Sequence, residues 1–206
     1  MNSILIATIK EEGELTELIN ELKSKAVLEY ELIVSSSKGS VSYNSNRGLE
    51  RATGEIILKV DDDVFDFPQG WDKILIDTLK QDEHIIIASA RVFNPDGTVQ
   101  RTCSNTMELE PEILDTPSGL VPFCCVAFRN DGVRFDENFK GSSFDDTDFN
   151  FQLRMKYPGW RAVINNSFKL KHKLESKVCR FGENETYFLN KWNGIVFPDG
   201  SIPIKL

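Results

Sequence analysis

The carboxylates of this chain fall in two dense groups. Asp61-Asp62-Asp63 closes the apolar run Ile56-Ile57-Leu58-Lys59-Val60, and Asp145-Asp146-x-Asp148 stands just ahead of Phe149, Phe151 and Leu153. Three adjacent negative charges repel one another unless a cation or strong donors offset them. A hard divalent metal does this well, because it prefers oxygen ligands and bridges carboxylates to a diphosphate. A carboxylate in a cleft can also take the proton of an attacking hydroxyl. Plainer roles compete with both. The first triplet could be a solvated acidic turn, and Asp or Thr at a helix start is an ordinary cap favoured by the helix dipole. At least one of Asp145, Asp146 and Asp148 is expected to be only a cap, but three acids exceed what capping needs.

The elements that must carry these groups follow from hydrophobic spacing. Residues 4–9 read as a buried strand, and Leu15, Leu18, Ile19 and Leu22 recur at helical spacing. Residues 31–34 form a second strand that ends in the loop 35–40, and a helix covers 44–52. The run into the Asp triplet is then a third strand. Strand, helix, strand, helix, strand is the pattern of a parallel sheet with right-handed crossovers. The first ~65 residues therefore read as a Rossmann-like nucleotide-binding half, with the triplet at the carboxyl edge where such sheets bind ligands. Neither Gly-x-Gly-x-x-Gly nor a Walker lysine loop is present, so a nucleotide would be held without those phosphate cradles. Further along come a helix through Trp71 to Leu79, a strand at 85–90 and a turn at Asn94-Pro95-Asp96-Gly97. A polar, acidic loop at 104–119 has the character of a lid. A buried strand at 121–128, a helix opened by the second acidic group and a short amphipathic helix at 182–192 complete the expectation.

Composition narrows the class. With 206 residues, 40% hydrophobic and 27% charged, the chain suits one globular domain with a sizeable core. No stretch of about 18 apolar residues is present to span a membrane. Met1-Asn2-Ser3 runs straight into a strand and lacks the regions of a secretory signal, which points to the cytoplasm. Cys103, Cys124, Cys125 and Cys179 show no metal-ligand spacing and read as reduced thiols. The net charge of −8 disfavours non-specific nucleic-acid binding. Lys169, Lys171, Lys173, Lys177 and Arg180 nevertheless make a local basic patch that suits a diphosphate or an anionic acceptor.

Three segments taken together resemble a family-2 glycosyltransferase of the GT-A fold. Asn46-x-Gly48, Ala52-x-Gly54-Glu55 and the strand into Asp61-Asp62-Asp63 look like the approach to that family's Asp-x-Asp motif. Phe135-Asp136-Glu137-x-Phe139, then Asp145-Asp146-x-Asp148-Phe149 and Arg154, are similar to its second acidic motif. Lys171-His172, followed by Lys191-Trp192, resembles the segment after it. The resemblance spans roughly residues 3 to 192, with the motifs in family order. It implies an α/β fold with a mixed, mainly parallel central sheet flanked by helices. It also implies a metal-dependent, inverting transfer of sugar from a nucleotide-diphosphate sugar to an acceptor hydroxyl. Under that resemblance Asp61 approaches the ribose, and Asp63 and His172 hold Mn²⁺ or Mg²⁺. Asp62 lies between and supports the turn. Asp146 aligns with the general base and Asp145 with the acid before it, while Thr8, Ser35, Asn46 and Lys171 belong to the nucleotide-sugar site. Residues 1–100 would form the donor-binding half of one domain, and 101–206 the acceptor and catalytic half.

Two departures bear on the donor. Lys10 stands where the family usually carries Asn, and Ser35 or Ser36 replaces the common acid at the end of strand two. These positions read the nucleobase, so uridine does not follow from the resemblance. Rival classes are a sugar nucleotidyltransferase, a haloacid-dehalogenase-type phosphatase and a non-catalytic module that binds metal and carbohydrate. The first usually has a Gly-rich basic loop near the N-terminus, where this chain is acidic. The second needs Thr or Val where Phe65 stands. The acceptor is open among a saccharide, a protein, a small molecule and a modified nucleobase in DNA. Trp160, after Pro158-Gly159, reads as a residue packed behind a turn rather than as a sugar platform.

Overall fold

The structure, a computed structural model, describes residues 1–100, 107–116, 120–173 and 180–204. Cys103, Lys177 and Cys179, and parts of the loop expected at 104–119, lie outside the described residues. Strand β1 (Asn2–Thr8) pairs in parallel with β2 (Tyr30–Ser36) on one side and β3 (Ile56–Val60) on the other. Helices α1 (Thr16–Lys25) and α2 (Val41–Arg51) make the crossovers. The chain passes through the Asp triplet into the short β4 (Val64–Phe65), then α3 (Trp71–Lys80) and β5 (Ile85–Phe93). After these come β6 (Ile113–Asp115), β7 (Cys125–Arg129), α4 (Asp145–Lys156), β8 (Arg161–His172) and α5 (Phe181–Trp192).

All the strands join one mixed sheet in the order β2-β1-β3-β7-β5-β8-β4, with β6 also on β8. Strands β1, β2, β3, β5 and β8 point one way; β7 runs against its neighbours β3 and β5, and β4 and β6 run against β8. Side chains alternate between the faces, as strand geometry demands. Ile4, Ile6, Leu58 and Val60 therefore pack on α1 and α3, through Leu18, Leu22, Trp71 and Leu75. Leu5, Ile57 and Val126 face the other way, against Leu49 of α2 and Phe149 and Leu153 of α4. Each such side chain contributes about 2 kcal/mol by leaving water. A smaller aromatic cluster of Phe139, Phe151, Phe188, Trp192 and Phe197 fastens α5 to α4.

Gly48 and Gly54 allow α2 and the loop before β3 to close on β1. A Cβ at Gly48 would stand 2.1 Å from Leu5 Cδ1, and one at Gly54 would stand 2.5 Å from the Ser3 backbone nitrogen. The strand expected at 121–128 is shorter and later than its apolar run suggests. Pro122 has no N–H to give a ladder, so residues 121–124 lead in, buried, and pairing starts at Cys125. Nothing in the spacing of residues 161–172 announces β8, because Asn165-Asn166-Ser167 interrupts its apolar run. The same residues mark the register shift against β5 between Ala90 and Arg91. No helix among the described residues is long and apolar enough to cross a membrane.

Candidate active site

Parallel register brings three strand ends to one edge. Thr8 pairs with Ser36 and Ile6 with Val60, so the loops after β1, β2 and β3 emerge side by side. Thr8 is 4% exposed, and its hydroxyl donates to Asp62 Oδ2. Lys10 Nζ stands 3.1 Å from Asp62 Oδ1 and donates to the Asp62 carbonyl at 3.0 Å. Asp62 is thereby tied to the β1 loop rather than turned toward Asp63. Ser35 is buried at this edge, and Ser36 Oγ donates to the Lys10 carbonyl at 2.7 Å. Asn44 Nδ2 donates to the Thr8 carbonyl at 2.9 Å.

The middle of the site is built by the turn out of β3. Asp61 N donates to the Cys124 carbonyl at 2.8 Å, which places the triplet beside the entry to β7. Three residues later β4 pairs with the end of β8, Val64 opposite His172. That pairing sets His172 Nε2 3.0 Å from Asp63 Oδ1. Gln100 fixes the ring from behind: His172 Nδ1 donates to Gln100 Oε1 at 2.9 Å, and Gln100 Nε2 donates to the Asn94 side chain at 3.0 Å. Burial alone would lower the His172 pKa. Hydrogen bonds with Asp63 and the Cys124 thiol outweigh it and push the pKa up to about 10. One ligand atom each of Asp61, Asp63 and His172 lies within 4.8 Å of the others. Two oxygens and an imidazole at that spacing suit Mn²⁺ or Mg²⁺, with the imidazole favouring the transition metal.

A residue outside the sequence-based set occupies the centre. Lys59 points to the α4 face of the sheet, with its side chain 4% exposed and its ammonium 2.5 Å from Asp61 Oδ1. Phe123 lies under it, 5.6 Å from ammonium to ring centroid. Burial acts to strip its proton, and Asp61, with Asp145 and Asp146 behind it, reverses this and raises its pKa. The signal for it was present: a lysine inside a strand buried on both faces must be paired there.

Asp145 and Asp146 open α4 against this cation. Burial and then repulsion by Asp146 raise the Asp145 pKa, with Lys59 opposing and Asp61 adding to the rise. Asp146 is raised by burial as well, opposed by the Thr147 amide and Lys59 and reinforced by Asp61. Both acids thus share an electrostatic neighbourhood with Asp61. Asp148 does not. It is 0% exposed and accepts from Lys191 Nζ and Trp192 Nε1, both at 2.7 Å, and from Gln152 at 2.8 Å. Its role is to fasten α5.

Two other expected site residues sit differently. Asn46 donates to the Phe135 carbonyl at 2.9 Å and to Glu137 at 2.7 Å, and accepts from Phe135 N at 2.8 Å, so its amide braces the 135–137 loop. Lys171 lies 3.0 Å from Asp66 on the β4 side. Trp160 is half-buried, with the Arg154 guanidinium 4.8 Å from its ring. Cys124 and Cys125 are buried free thiols.

Residues 36–131 match the model of the family described as glycosyl transferase family 2. TarS of S. aureus (residues 1–349) superimposes with a TM-score of 0.63 at 14% identity, over 93% of this chain and 70% of that one. GalNAc-T7, solved with UDP, GalNAc and Mn²⁺, gives a TM-score of 0.68 at 9% identity, over 93% of this chain and 48% of that one. TarS 1–349 in complex with UDP-GlcNAc gives 0.61 at 17% identity, over 84% and 58%. The chain spans 39% of the longer TarS chain. No curated protein matches it in sequence. The chain has the GT-A fold of these structures, α/β with a mixed, mainly parallel sheet flanked by helices.

Proposed function

We propose that the chain moves a sugar from a nucleoside diphosphate sugar to an acceptor hydroxyl, with metal assistance, inversion at the anomeric carbon and Asp146 as general base. One observation carries this reading. The spacing of Asp61, Asp63 and His172, fit for a divalent cation, shares a single buried lysine with a pair of carboxylates whose pKa values are raised. The UDP, UDP-GlcNAc and Mn²⁺ in the solved relatives support the donor class and the cation.

Asp61, Asp63 and His172 would hold Mn²⁺ or Mg²⁺, which when bound supplies Lewis-acid relief of the charge that grows on the leaving diphosphate. The chain's own residues do the rest. Thr8, Ser35, Ser36 and Lys10 line the edge where a nucleobase and ribose would lie. Asp62, held by Thr8 and Lys10, keeps that loop in place. Asp146 takes the proton of the acceptor hydroxyl, a step worth roughly 10²–10⁴-fold. Its raised pKa makes it a stronger base than an exposed aspartate, and Lys59 opposes the rise and favours the ionised form. Attack from the face opposite the leaving diphosphate inverts the centre in one displacement. Residues 1–100 bind the donor in this reading, and 101–206 carry the base and meet the acceptor.

Thermal melting with Mn²⁺ and a panel of nucleoside diphosphates, singly and together, tests the reading. A rise in Tm that needs both metal and one nucleotide is expected, since ligands that bind only the folded state stabilise it by mass action. Asp146→Asn should keep that rise and lose turnover. An Asp146→Asn protein that turns over normally would remove the base assignment, and no rise with any pair would remove the donor site.

A further inference from the structure

The segment that delivers Asp145 and Asp146 is strained. Gly141, Ser143 and Phe144 have φ of 64°, 93° and 63°. For Ser, and still more for Phe, that region is disfavoured and persists only where the surroundings impose it. Phe144 is also the residue that starts α4, and no side chain caps the helix there. The imposing contact comes from α5. Asn184 is 1% exposed, and its Nδ2 donates to the carbonyls of Lys140 at 3.0 Å, Ser142 at 3.2 Å and Ser143 at 2.9 Å. Its Oδ1 accepts from Lys140 N at 2.9 Å. An amide has two donor hydrogens and one acceptor oxygen, and here all are directed at one turn. Val41 N donates to the Gly141 carbonyl at 3.1 Å, which ties the same turn to the start of α2. Lys191 and Trp192 anchor the far end of α5 through Asp148.

We infer that Asn184 is a positioning residue for catalysis: it holds the 140–144 turn in its left-handed form and so sets where Asp146 stands against Asp61 and the donor. This rests on the reading of Asp146 as the base. Asn184 touches no substrate, and its effect passes entirely through backbone. Losing it lets the turn relax, and a base displaced by about 1 Å costs on the order of 100-fold in rate.

The test compares Asn184→Ala, Asp146→Asn and Phe197→Leu with the parent chain. Phe197 belongs to the same aromatic cluster but packs on Phe151 and Trp192, away from the turn. Three quantities are read: Tm with UDP and Mn²⁺, the rate of nucleoside diphosphate release from a panel of sugar nucleotides led by UDP-GlcNAc with water as acceptor, and the crystal structure of Asn184→Ala. Asn184→Ala is expected to keep the nucleotide-dependent rise in Tm and the donor KM, to lose about 100-fold in kcat, and to show the Asp146 carboxylate moved. Phe197→Leu should melt earlier yet keep its kcat. Parent-like kcat in folded Asn184→Ala, an unmoved Asp146 in its crystal structure, or an equal kcat loss in Phe197→Leu would overturn the inference. If Asp146→Asn alone kept full activity, the base reading would fall, and the crystal structure would still decide what Asn184 holds.

Discussion

The Lys59 ammonium stands 2.5 Å from Asp61 Oδ1 with almost no access to water, and Asp145 and Asp146 both feel its charge. One buried cation therefore serves two acidic groups that lie far apart in the chain. Lys59→Met should raise the pKa of Asp145 and Asp146 further, because the opposing charge is gone. The acid limb of the activity profile should then move up by about one pH unit. At pH 8 the variant should also lose about 3 kcal/mol of stability, since a buried pair has been broken. The deficit should shrink on acidification, as the freed carboxylates take up protons. Chemical denaturation across pH checks both signs.

Metal binding should release a proton. His172 has a pKa of about 10 in the metal-free fold against an ordinary 6.5, so it is protonated at neutral pH. A cation on Nε2 must displace that proton, and apparent Mn²⁺ affinity should strengthen about tenfold per pH unit while His172 stays protonated when metal-free. Calorimetry in buffers of different ionisation enthalpy counts the proton. Without metal the sign reverses. The raised pKa stabilises the fold in full below pH 6.5, and the contribution fades as pH rises toward 10.

Gln100 holds the His172 ring through Nδ1. Gln100→Leu leaves that nitrogen without its partner and the ring free to turn. Mn²⁺ affinity should weaken by about 10–100-fold while Tm without metal changes little. Titration followed by nucleotide-dependent melting reads the difference.

Asp148→Ala should behave quite unlike Asp146→Asn. It removes a fully buried carboxylate from Lys191 and Trp192 and should cost about 4 kcal/mol, visible as an early unfolding transition. The rise in Tm with Mn²⁺ and nucleotide should survive, because Asp148 contacts neither the triplet nor His172 among the described contacts.

These contrasts mark where sequence reasoning carries and where it stops. The Asp triplet was legible at a sheet edge because Asp ends an apolar strand it cannot continue. The acids at 145–148 were legible as a helix start for the same kind of local reason. Which of them faces the Asp triplet and which serves packing was not, since Asp148 is defined by Lys191 and Trp192, more than forty positions away. Gln100, Asn184 and the bracing of Phe135 by Asn46 are likewise long-range amide contacts, and an Asn or Gln carries no periodic signature. Strand β8 escaped for a local reason: Asn165-Asn166-Ser167 breaks its apolar run where its register against β5 shifts.

The pairing of Val64 with His172 has a wider consequence. Because β4 begins one residue after Asp63, that acid and the imidazole are neighbours across a backbone ladder, with Gln100 fixing the ring. Such a site is a socket whose contacts can be exchanged. Substituting Asp63 or His172 with other coordinating residues would alter which ion is preferred while leaving the geometry of the socket to the strands. In the proposed reading the choice of ion would then rest on two exchangeable side chains, and replacing either would forfeit the Asp63–His172 contact of the metal-free fold.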